Sequence, residues 1–257
     1  RRHLAAECAG FTRDADLDGE QWLSHAMWVD RVQGATDAII TFNYDLAIES
    51  LLRHRKRDFD YCLPAASNGY GTQLLKLHGS INWRGVAEPR FQTRAVRPDE
   101  NPFAALTAPA DDMAIASPGP NKLRSTEGLL SALWPTALQA IREASAIVFV
   151  GYRFPETDGQ ARRLILEAIS SNKQPYLALH LILGPGNPDC LRVSHMLRHR
   201  VGRRIELQHG YMPPRSPVGE RRFFNIEQHP LYCQEFFSAV TREAILRPSL
   251  IATDLPR

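Results

Sequence analysis

Three short segments of the chain combine residue types that can carry chemistry. Residues 41–45 read Thr-Phe-Asn-Tyr-Asp, residues 77–80 read Leu-His-Gly-Ser, and residues 151–158 read Gly-Tyr-Arg-Phe-Pro-Glu-Thr-Asp. The side-chain amide of Asn43 can orient a reactant without adding charge. Histidine as a residue type titrates near neutral pH, so His78 is a candidate proton acceptor. These types suit the removal of a proton from an oriented nucleophile.

Each segment also has a purely structural interpretation. Asn43 and Asp45 are favourable turn and N-cap residues ahead of a helix. His78 fits a histidine satisfied by backbone groups at a strand terminus, and Gly151 fits a plain turn glycine. Taken singly, the structural interpretation is favoured for each; taken together, the functional one gains, because all three segments directly follow predicted strands.

The apolar runs predict which elements position these segments. Residues 37–42 are short, apolar and β-branched, which predicts a buried strand; residues 46–54 show helical spacing; and residues 73–77 predict a second strand. Residues 82–112 are polar and contain proline, so an inserted loop or small subdomain is predicted there. The other predicted elements are strands at 113–116, 146–150, 176–183 and 204–207, and helices at 129–144, 161–169 and 231–245.

Strand and helix alternate along the chain, and several strands are continuous apolar runs. This pattern predicts an α/β fold, a Rossmann-like doubly wound and mostly parallel sheet with helices on both faces. We expect one domain over 1–257, with residues 82–128 as an insertion or small subdomain. Ligands of such sheets bind at the carboxyl ends of strands, where the three polar segments are expected to lie.

Composition and cysteine spacing exclude several classes of protein. The chain is 44% hydrophobic and 23% charged, and its apolar runs are too short to span a bilayer, so no membrane contact is expected. Its scattered single cysteines are typical of reduced thiols in a cytoplasmic protein. The cysteines at 8, 62, 190 and 233 provide neither a CxxC zinc motif nor a secreted disulfide framework. His195 and His199 share a helical face, but lack the adjacent glutamate of a zinc protease and an evident third ligand. No metal is therefore expected. The Gly-Pro-Gly-Asn sequence at 184–187 is too short of glycines for a dinucleotide-binding motif and is interpreted as a turn.

Arginines crowd the last third of the chain, although the net charge is only +3. The favoured interpretation is a solvated face on which arginines pair with carboxylates. The alternative is a surface for nucleic acid or an acidic partner. The basic run at 53–57 follows a helical stretch, where cations complement the helix C-terminus. The arginines concerned are Arg192, Arg198, Arg200, Arg203, Arg204, Arg215, Arg221 and Arg222.

The three polar segments also carry a family resemblance. Residues 41–45 resemble the sirtuin Thr-Gln-Asn-x-Asp motif, and residues 76–83 resemble the segment with the sirtuin catalytic histidine. Residues 148–158 resemble the Gly-Tyr-Ser-x-Pro-x-x-Asp version of the sirtuin Gly-Thr-Ser strand end, which is typical of a bacterial branch found in phage-defence systems. Pro118, Lys122 and Trp134 also match that branch, and the resemblance covers roughly residues 36–190.

The resemblance implies roles for individual residues. Asn43 would position a water or a ribose hydroxyl beside the nicotinamide ribose of NAD, and His78 would be the general base. The implied nucleotide-binding residues are Thr41, Phe42, Asp45, Gly151, Tyr152, Arg153, Asp158 and Asn187. Among them, Asn187 would contact the adenosine half. Arg153 departs from the pattern, because the branch usually has a small hydroxyl residue there; an arginine would meet a phosphate instead.

A second departure concerns the glycine-rich phosphate loop that opens domains of this family. The one candidate segment, residues 9–12, has no apolar strand before it. We therefore expect the loop upstream of Arg1, so that this chain would hold only half of the pyrophosphate site.

The resemblance implies a zinc-less NAD glycohydrolase that releases nicotinamide and ADP-ribose. Nicotinamide leaves as a neutral molecule, so the reaction needs no general acid and no carboxylate pair. The branch further implies an anti-phage assembly, either a homo-oligomer or a complex with an ATPase, an Argonaute-like protein or another defence subunit. Two alternatives stay open: an NAD-dependent protein deacylase, and a non-catalytic scaffold that binds NAD or ADP-ribose.

Overall fold

The computed structural model describes residues 2–34, 36–88, 93–99, 101, 107–116, 128, 130–202, 204–207 and 222–246. The chain divides into two compact units, Arg1–Ala137 and Leu138–Arg257. The single domain expected over 1–257 stays a prediction. Among the described residues, no helix has both the length and the apolar character needed to cross a membrane.

The first unit begins with two helices that the apolar pattern did not reveal, α1 (Arg2–Arg13) and α2 (Glu20–Arg31). Ala5 and Ala9 of α1 are buried, and they join a core cluster with Leu46. The full cluster consists of Ala5, Ala9, Leu46, Ile81, Ala108, Met113 and Ile115.

A three-stranded parallel sheet follows, with the strand order β1-β3-β2. Its members are β1 (Ala38–Thr41), β2 (Phe59–Asp60) and β3 (Thr72–Lys76), and α3 (Ala47–His54) connects β1 to β2. The predicted strands at 37–42 and 73–77 and the helix at 46–54 are confirmed. Helix α3 buries one apolar face, which includes Leu51 and Leu52, and ends in a basic turn.

The basic run at 53–57 serves structure. Arg55 forms an ion pair with Asp30 of α2, and Arg57 donates to the carbonyl oxygen of Val32. These contacts fix α3 against the end of α2, which agrees with the structural interpretation of the run.

An antiparallel sheet completes the first unit, with the order β5-β4-β6. The strands are β4 (Gly79–Glu88), β5 (Thr93–Pro98) and β6 (Met113–Ile115). Of the two alternatives predicted over 82–112, the loop is wrong for 82–88 and 93–98, which are strands, whereas the small subdomain stays a prediction. Residues 79–83 are buried on both faces of β4, including the polar Ser80 and Asn82, so the alternation that identifies a strand is missing.

The second unit contains a four-stranded parallel sheet with the order β7-β8-β10-β9. After α4 (Leu133–Glu143) come β7 (Ala146–Val150), α5 (Gly159–Ser170), β8 (Tyr176–Ile182), α6 (Asp189–Arg200), β9 (Ile205–Glu206), β10 (Phe223–His229), α7 (Cys233–Ala239) and α8 (Arg242–Leu246). The predicted strands at 146–150, 176–183 and 204–207 are confirmed.

Two predictions for the end of the chain are corrected. No strand was predicted after 204–207, but β10 follows it and lies between β8 and β9. The single helix predicted over 231–245 is two helices, since Val240 has an extended backbone (φ −98°, ψ 119°) that ends α7. The parallel sheets and flanking helices confirm the Rossmann-like α/β class.

Candidate active site

The register of β1 and β3 brings Asn43 and His78 to the same edge of the sheet. Thr41 lies opposite Lys76, and the Leu77 amide donates to the Thr41 carbonyl oxygen at 3.0 Å. Because the two strands are parallel, residues 43 and 78 both lie two positions beyond this last pair. Asn43 is exposed, whereas His78 is only 3% exposed.

The segment after β1 is a turn held by its own side chains. The backbone amide of Asn43 donates to the Thr41 hydroxyl oxygen at 3.1 Å, and the Asp45 carboxylate accepts from the backbone amide of Ala47 at 3.0 Å. The backbone amide of Leu46 donates to the hydroxyl oxygen of Thr12 in α1 at 3.4 Å. Asp45 thus closes a turn directly ahead of α3, whose N-cap residue is Leu46 and not the predicted Asp45. The turn holds the backbone that presents the exposed side-chain amide of Asn43.

His78 lies among aromatic side chains. Its ring is centred 4.6 Å from that of Phe42 and 6.1 Å from that of Tyr44. The His78 carbonyl oxygen accepts from the Ala116 amide at 2.8 Å, and the Tyr44 hydroxyl donates to the Ala116 carbonyl oxygen at 3.1 Å. The imidazole therefore packs on aromatic rings and is shielded from bulk water.

Gly79 allows the chain to enter β4 directly after His78. Its φ is +85°, which disfavours any residue with a side chain. A Cβ atom on Gly79 would come within 1.8 Å of the Ala114 carbonyl oxygen. The close approach of β4 to β6 thus requires glycine next to the histidine.

A buried ion pair supports this edge of the sheet, and the sequence analysis missed it. The Lys76 ammonium lies 2.8 Å from a Glu49 carboxylate oxygen, and both side chains are 1% exposed. Lys76 also donates to the Asp45 carbonyl oxygen, and the Tyr61 hydroxyl donates to Glu49 at 3.1 Å. The pair joins β3, α3 and the turn that presents Asn43. The signal in the sequence was a lysine between two leucines, Leu75 and Leu77.

The second unit contains the predicted residues that follow β7. Gly151 has φ +69°, and its amide donates to the Ile182 carbonyl oxygen at 2.9 Å. Arg153 is exposed, and its carbonyl oxygen accepts from the Arg192 guanidinium at 2.6 Å. Tyr152 is half-buried, and its pKa is raised by burial and by the nearby charge of Asp158. Asp158 is buried at the start of α5.

Asn187 follows β8 and makes two local hydrogen bonds. Its side-chain nitrogen donates to the Leu183 carbonyl oxygen at 2.7 Å, and its side-chain oxygen accepts from the Asp189 amide at 2.9 Å. Both bonds stabilise the turn into α6, so the turn predicted at 184–187 is confirmed. The contact of Asn187 with adenosine stays a prediction.

Four arginines of the last third have structural partners. Arg192 pairs with Asp189 and Arg198 with Glu206, each at 2.8 Å. Arg204 is buried, and its guanidinium donates to backbone carbonyl oxygens; burial, with a smaller contribution from Arg222, lowers its pKa. Arg222 donates to the Asn172 carbonyl oxygen at 3.1 Å. These contacts agree with the structural interpretation of the arginines, whereas Arg203, Arg215 and Arg221 lie outside the described residues.

The remaining sequence candidates fall in unrelated places. Residues 9–12 lie inside α1 and form no phosphate-binding loop. His195 and His199 are exposed on α6, and the four cysteines are free thiols of intermediate burial. Trp134 is buried in α4, while Pro118 and Lys122 lie outside the described residues.

Comparison with known proteins adds one match. The family model described as a SIR2-like domain matches residues 37–196, which include all ten predicted site residues. No curated protein matches the chain.

Proposed function

The chain belongs to the SIR2-like domain family, which uses NAD, and on this premise we propose that it is an NAD glycohydrolase. The bond between nicotinamide and C1′ of the ribose breaks, and its electron pair leaves with the neutral nicotinamide. A water oxygen bonds to C1′ and loses a proton, which gives ADP-ribose. The proton passes to His78.

One observation carries this proposal: Asn43 and His78 follow two parallel, hydrogen-bonded strands in register. An amide and an imidazole at the carboxyl edge of such a sheet lie where its ligands bind. The exposed amide of Asn43 suits the orientation of a water or a ribose hydroxyl. The imidazole of His78, shielded by Phe42 and Tyr44, suits the acceptance of its proton.

Water is the proposed nucleophile, rather than an acylated peptide. Zinc-containing sirtuins hold their peptide beside a small module that needs two close cysteine pairs. The four cysteines of this chain stand far apart in sequence, so that module cannot be built from them. We therefore propose that NAD is consumed without a peptide, as in the zinc-less branch that the motifs resemble.

The test is nicotinamide release from NAD by the purified protein, measured with and without acetyl-lysine peptide. Peptide-independent release with formation of ADP-ribose supports the glycohydrolase. Release that requires peptide and yields an acetylated ribose product replaces it with a deacylase. Retention of NAD without any release replaces it with the scaffold.

We further propose that the activity belongs to a bacterial anti-phage assembly. Support comes from residues 148–158, whose Gly-Tyr-x-x-Pro-x-x-Asp pattern resembles the phage-defence branch. Partners of that branch include a second copy of the chain, an ATPase and an Argonaute-like protein. Light scattering tests the homo-oligomer directly, as a mass above the 28.9 kDa of one chain.

A further inference from the structure

Two neighbouring strands of the second unit place three metal-binding side chains on one face. His180 of β8 lies opposite Glu227 of β10 in the parallel register, and His229 lies two residues beyond Glu227. Side chains two residues apart on a strand point to the same face, and so do directly paired residues. The two histidines of this cluster are 49 residues apart in sequence.

The distances within this cluster match those between ligands of one small cation. His180 Nδ1 lies 3.0 Å from His229 Nε2, and the Glu227 Oε2 atom lies 3.6 Å from the former and 3.8 Å from the latter. Tetrahedral zinc with bonds of about 2.0–2.2 Å places its ligand atoms roughly 3.3–3.6 Å apart. The three atoms therefore need shift by only a few tenths of an ångström to surround such an ion.

Outer hydrogen bonds orient two of the ligands. His180 Nε2 lies 3.0 Å from the Ile245 carbonyl oxygen of α8, which can only accept, so Nε2 carries the proton and Nδ1 presents its lone pair to the cluster. The other Glu227 oxygen accepts from Asn225 at 3.0 Å, and Asn225 accepts from the Tyr176 hydroxyl at 2.7 Å. Metal-binding histidines and carboxylates are typically held by partners of this kind.

The three side chains of the cluster are largely shielded from solvent. The His180 side chain is 1% exposed, that of Glu227 15% and that of His229 17%. The His229 ring packs edge-on against Phe236, which limits its rotation.

We infer that His180, Glu227 and His229 form a binding site for a divalent cation of zinc type. Two imidazole nitrogens and one carboxylate oxygen suit Zn²⁺ or Co²⁺ rather than Mg²⁺, which prefers oxygen ligands. A water completes the tetrahedron. The site fastens β8 to β10 and uses none of the residues assigned to NAD. The sequence-based expectation of no metal rested on the cysteines and on the His195/His199 pair, neither of which belongs to this cluster.

A hydrogen bond between the two imidazoles is the competing explanation. It accounts for the 3.0 Å distance between the rings. That hydrogen bond joins the two rings alone, since the Glu227 oxygen lies 3.6 and 3.8 Å from their nitrogens, which is too far for a hydrogen bond to either. A cation would be coordinated by all three atoms. The two explanations therefore differ in whether the protein binds a metal ion at this cluster.

The experiment measures ZnCl₂ binding to the full chain by calorimetry, after treatment with a chelator, together with the visible spectrum of the CoCl₂ complex. We expect one Zn²⁺ per chain, no competition by MgCl₂, and the intense visible bands of tetrahedral Co²⁺. His229→Gln and Glu227→Gln are expected to weaken Zn²⁺ binding by more than about 100-fold, and Asn225→Ala by about 10–100-fold.

The double variant His195→Gln/His199→Gln is the matched control, because it removes two histidines from the exposed face of α6. It is expected to bind Zn²⁺ like the wild type. Absence of stoichiometric Zn²⁺ binding overturns the inference, and so does loss of binding in the control or its persistence in both His229→Gln and Glu227→Gln. Circular dichroism spectra verify that the variants fold, and no readout depends on NAD turnover.

Discussion

At the residue scale, the proposed reaction divides its work between an exposed amide and a shielded imidazole. His78→Gln keeps a polar side chain of similar size but removes the titrating base. We expect nicotinamide release to fall by about 10²–10⁴-fold, the usual contribution of a general base. Asn43→Ala should lower the rate as well, since the nucleophile loses its orientation.

The control for these variants is His195→Gln, which changes an exposed histidine on α6. It should hydrolyse NAD at the wild-type rate. Thermal unfolding, monitored by circular dichroism, verifies that each variant is folded. Wild-type turnover in folded His78→Gln would show that another group accepts the proton.

The buried pair Lys76–Glu49 leads to a second prediction at this scale. Lys76→Met removes the cation but leaves the Glu49 carboxylate, which is 1% exposed, inside the protein. Breaking a buried pair in this way typically costs about 3–5 kcal/mol of unfolding free energy. Denaturant titration measures this loss.

The matched variant is the double substitution Lys76→Met/Glu49→Met, which leaves no buried charge behind. Replacing both partners by apolar residues is often nearly neutral, so most of the lost unfolding free energy should return. Hydrolysis of NAD should nevertheless stay reduced, because Lys76 also holds the Asp45 carbonyl oxygen in the turn that presents Asn43. A double variant as unstable as Lys76→Met would contradict the ion-pair account.

At the element scale, prediction succeeded where apolar runs are continuous. The strand at 146–150 was predicted to the residue, since five apolar residues between Ser145 and Gly151 leave little choice. Strand β10 was missed because Asn225, Glu227 and His229 all lie on one of its faces. A strand face made of polar residues gives no apolar run by which hydropathy could reveal it. The beginning of β4 was missed for the related reason that polar residues lie buried on it.

The same distinction applies to the candidate site. Asn43 and His78 could be proposed from sequence because each follows a recognisable strand and lies in a segment that resembles a sirtuin motif. The Lys76–Glu49 pair could not, because 27 residues separate its members and their contact depends on how α3 packs on β3. Long-range pairing of this kind is set by tertiary packing, which periodicity does not encode.

At the element scale, the start of β4 leads to a prediction for the stability and activity of a Gly79 variant. Gly79→Ala places a Cβ at φ +85° and against the Ala114 carbonyl oxygen. We expect a loss of about 2–4 kcal/mol in unfolding free energy, with a displaced His78 and reduced hydrolysis of NAD. Denaturant titration and nicotinamide release provide the two measurements.

Gly10→Ala is the control for this substitution. Gly10 lies inside α1, and a Cβ there would meet no atom within 4 Å. Alanine is the better helix former by about 0.5–1 kcal/mol, so this variant should gain stability. Equal effects of the two substitutions would remove the argument for a required glycine at position 79.

At the scale of the whole molecule, binding of NAD should stabilise the folded chain. A ligand that binds only the folded state adds RT ln(1 + [L]/Kd) to its unfolding free energy, about 2.7 kcal/mol at 100 times Kd. For a chain of this size, that corresponds to a rise of roughly 5–10 °C in Tm. The measurement uses His78→Gln, so that NAD persists during the scan.

Nicotinamide alone serves as the comparison ligand, because it lacks the ribose and the pyrophosphate. The proposed contact of Asn43 is with the water or hydroxyl beside the ribose of NAD, so nicotinamide alone should raise Tm much less at the same concentration. Because the shift reports affinity alone, it separates binding from catalysis. A rise with NAD in a variant that releases no nicotinamide assigns His78 to chemistry, whereas an unchanged Tm at millimolar NAD would mean that this chain does not hold the nucleotide.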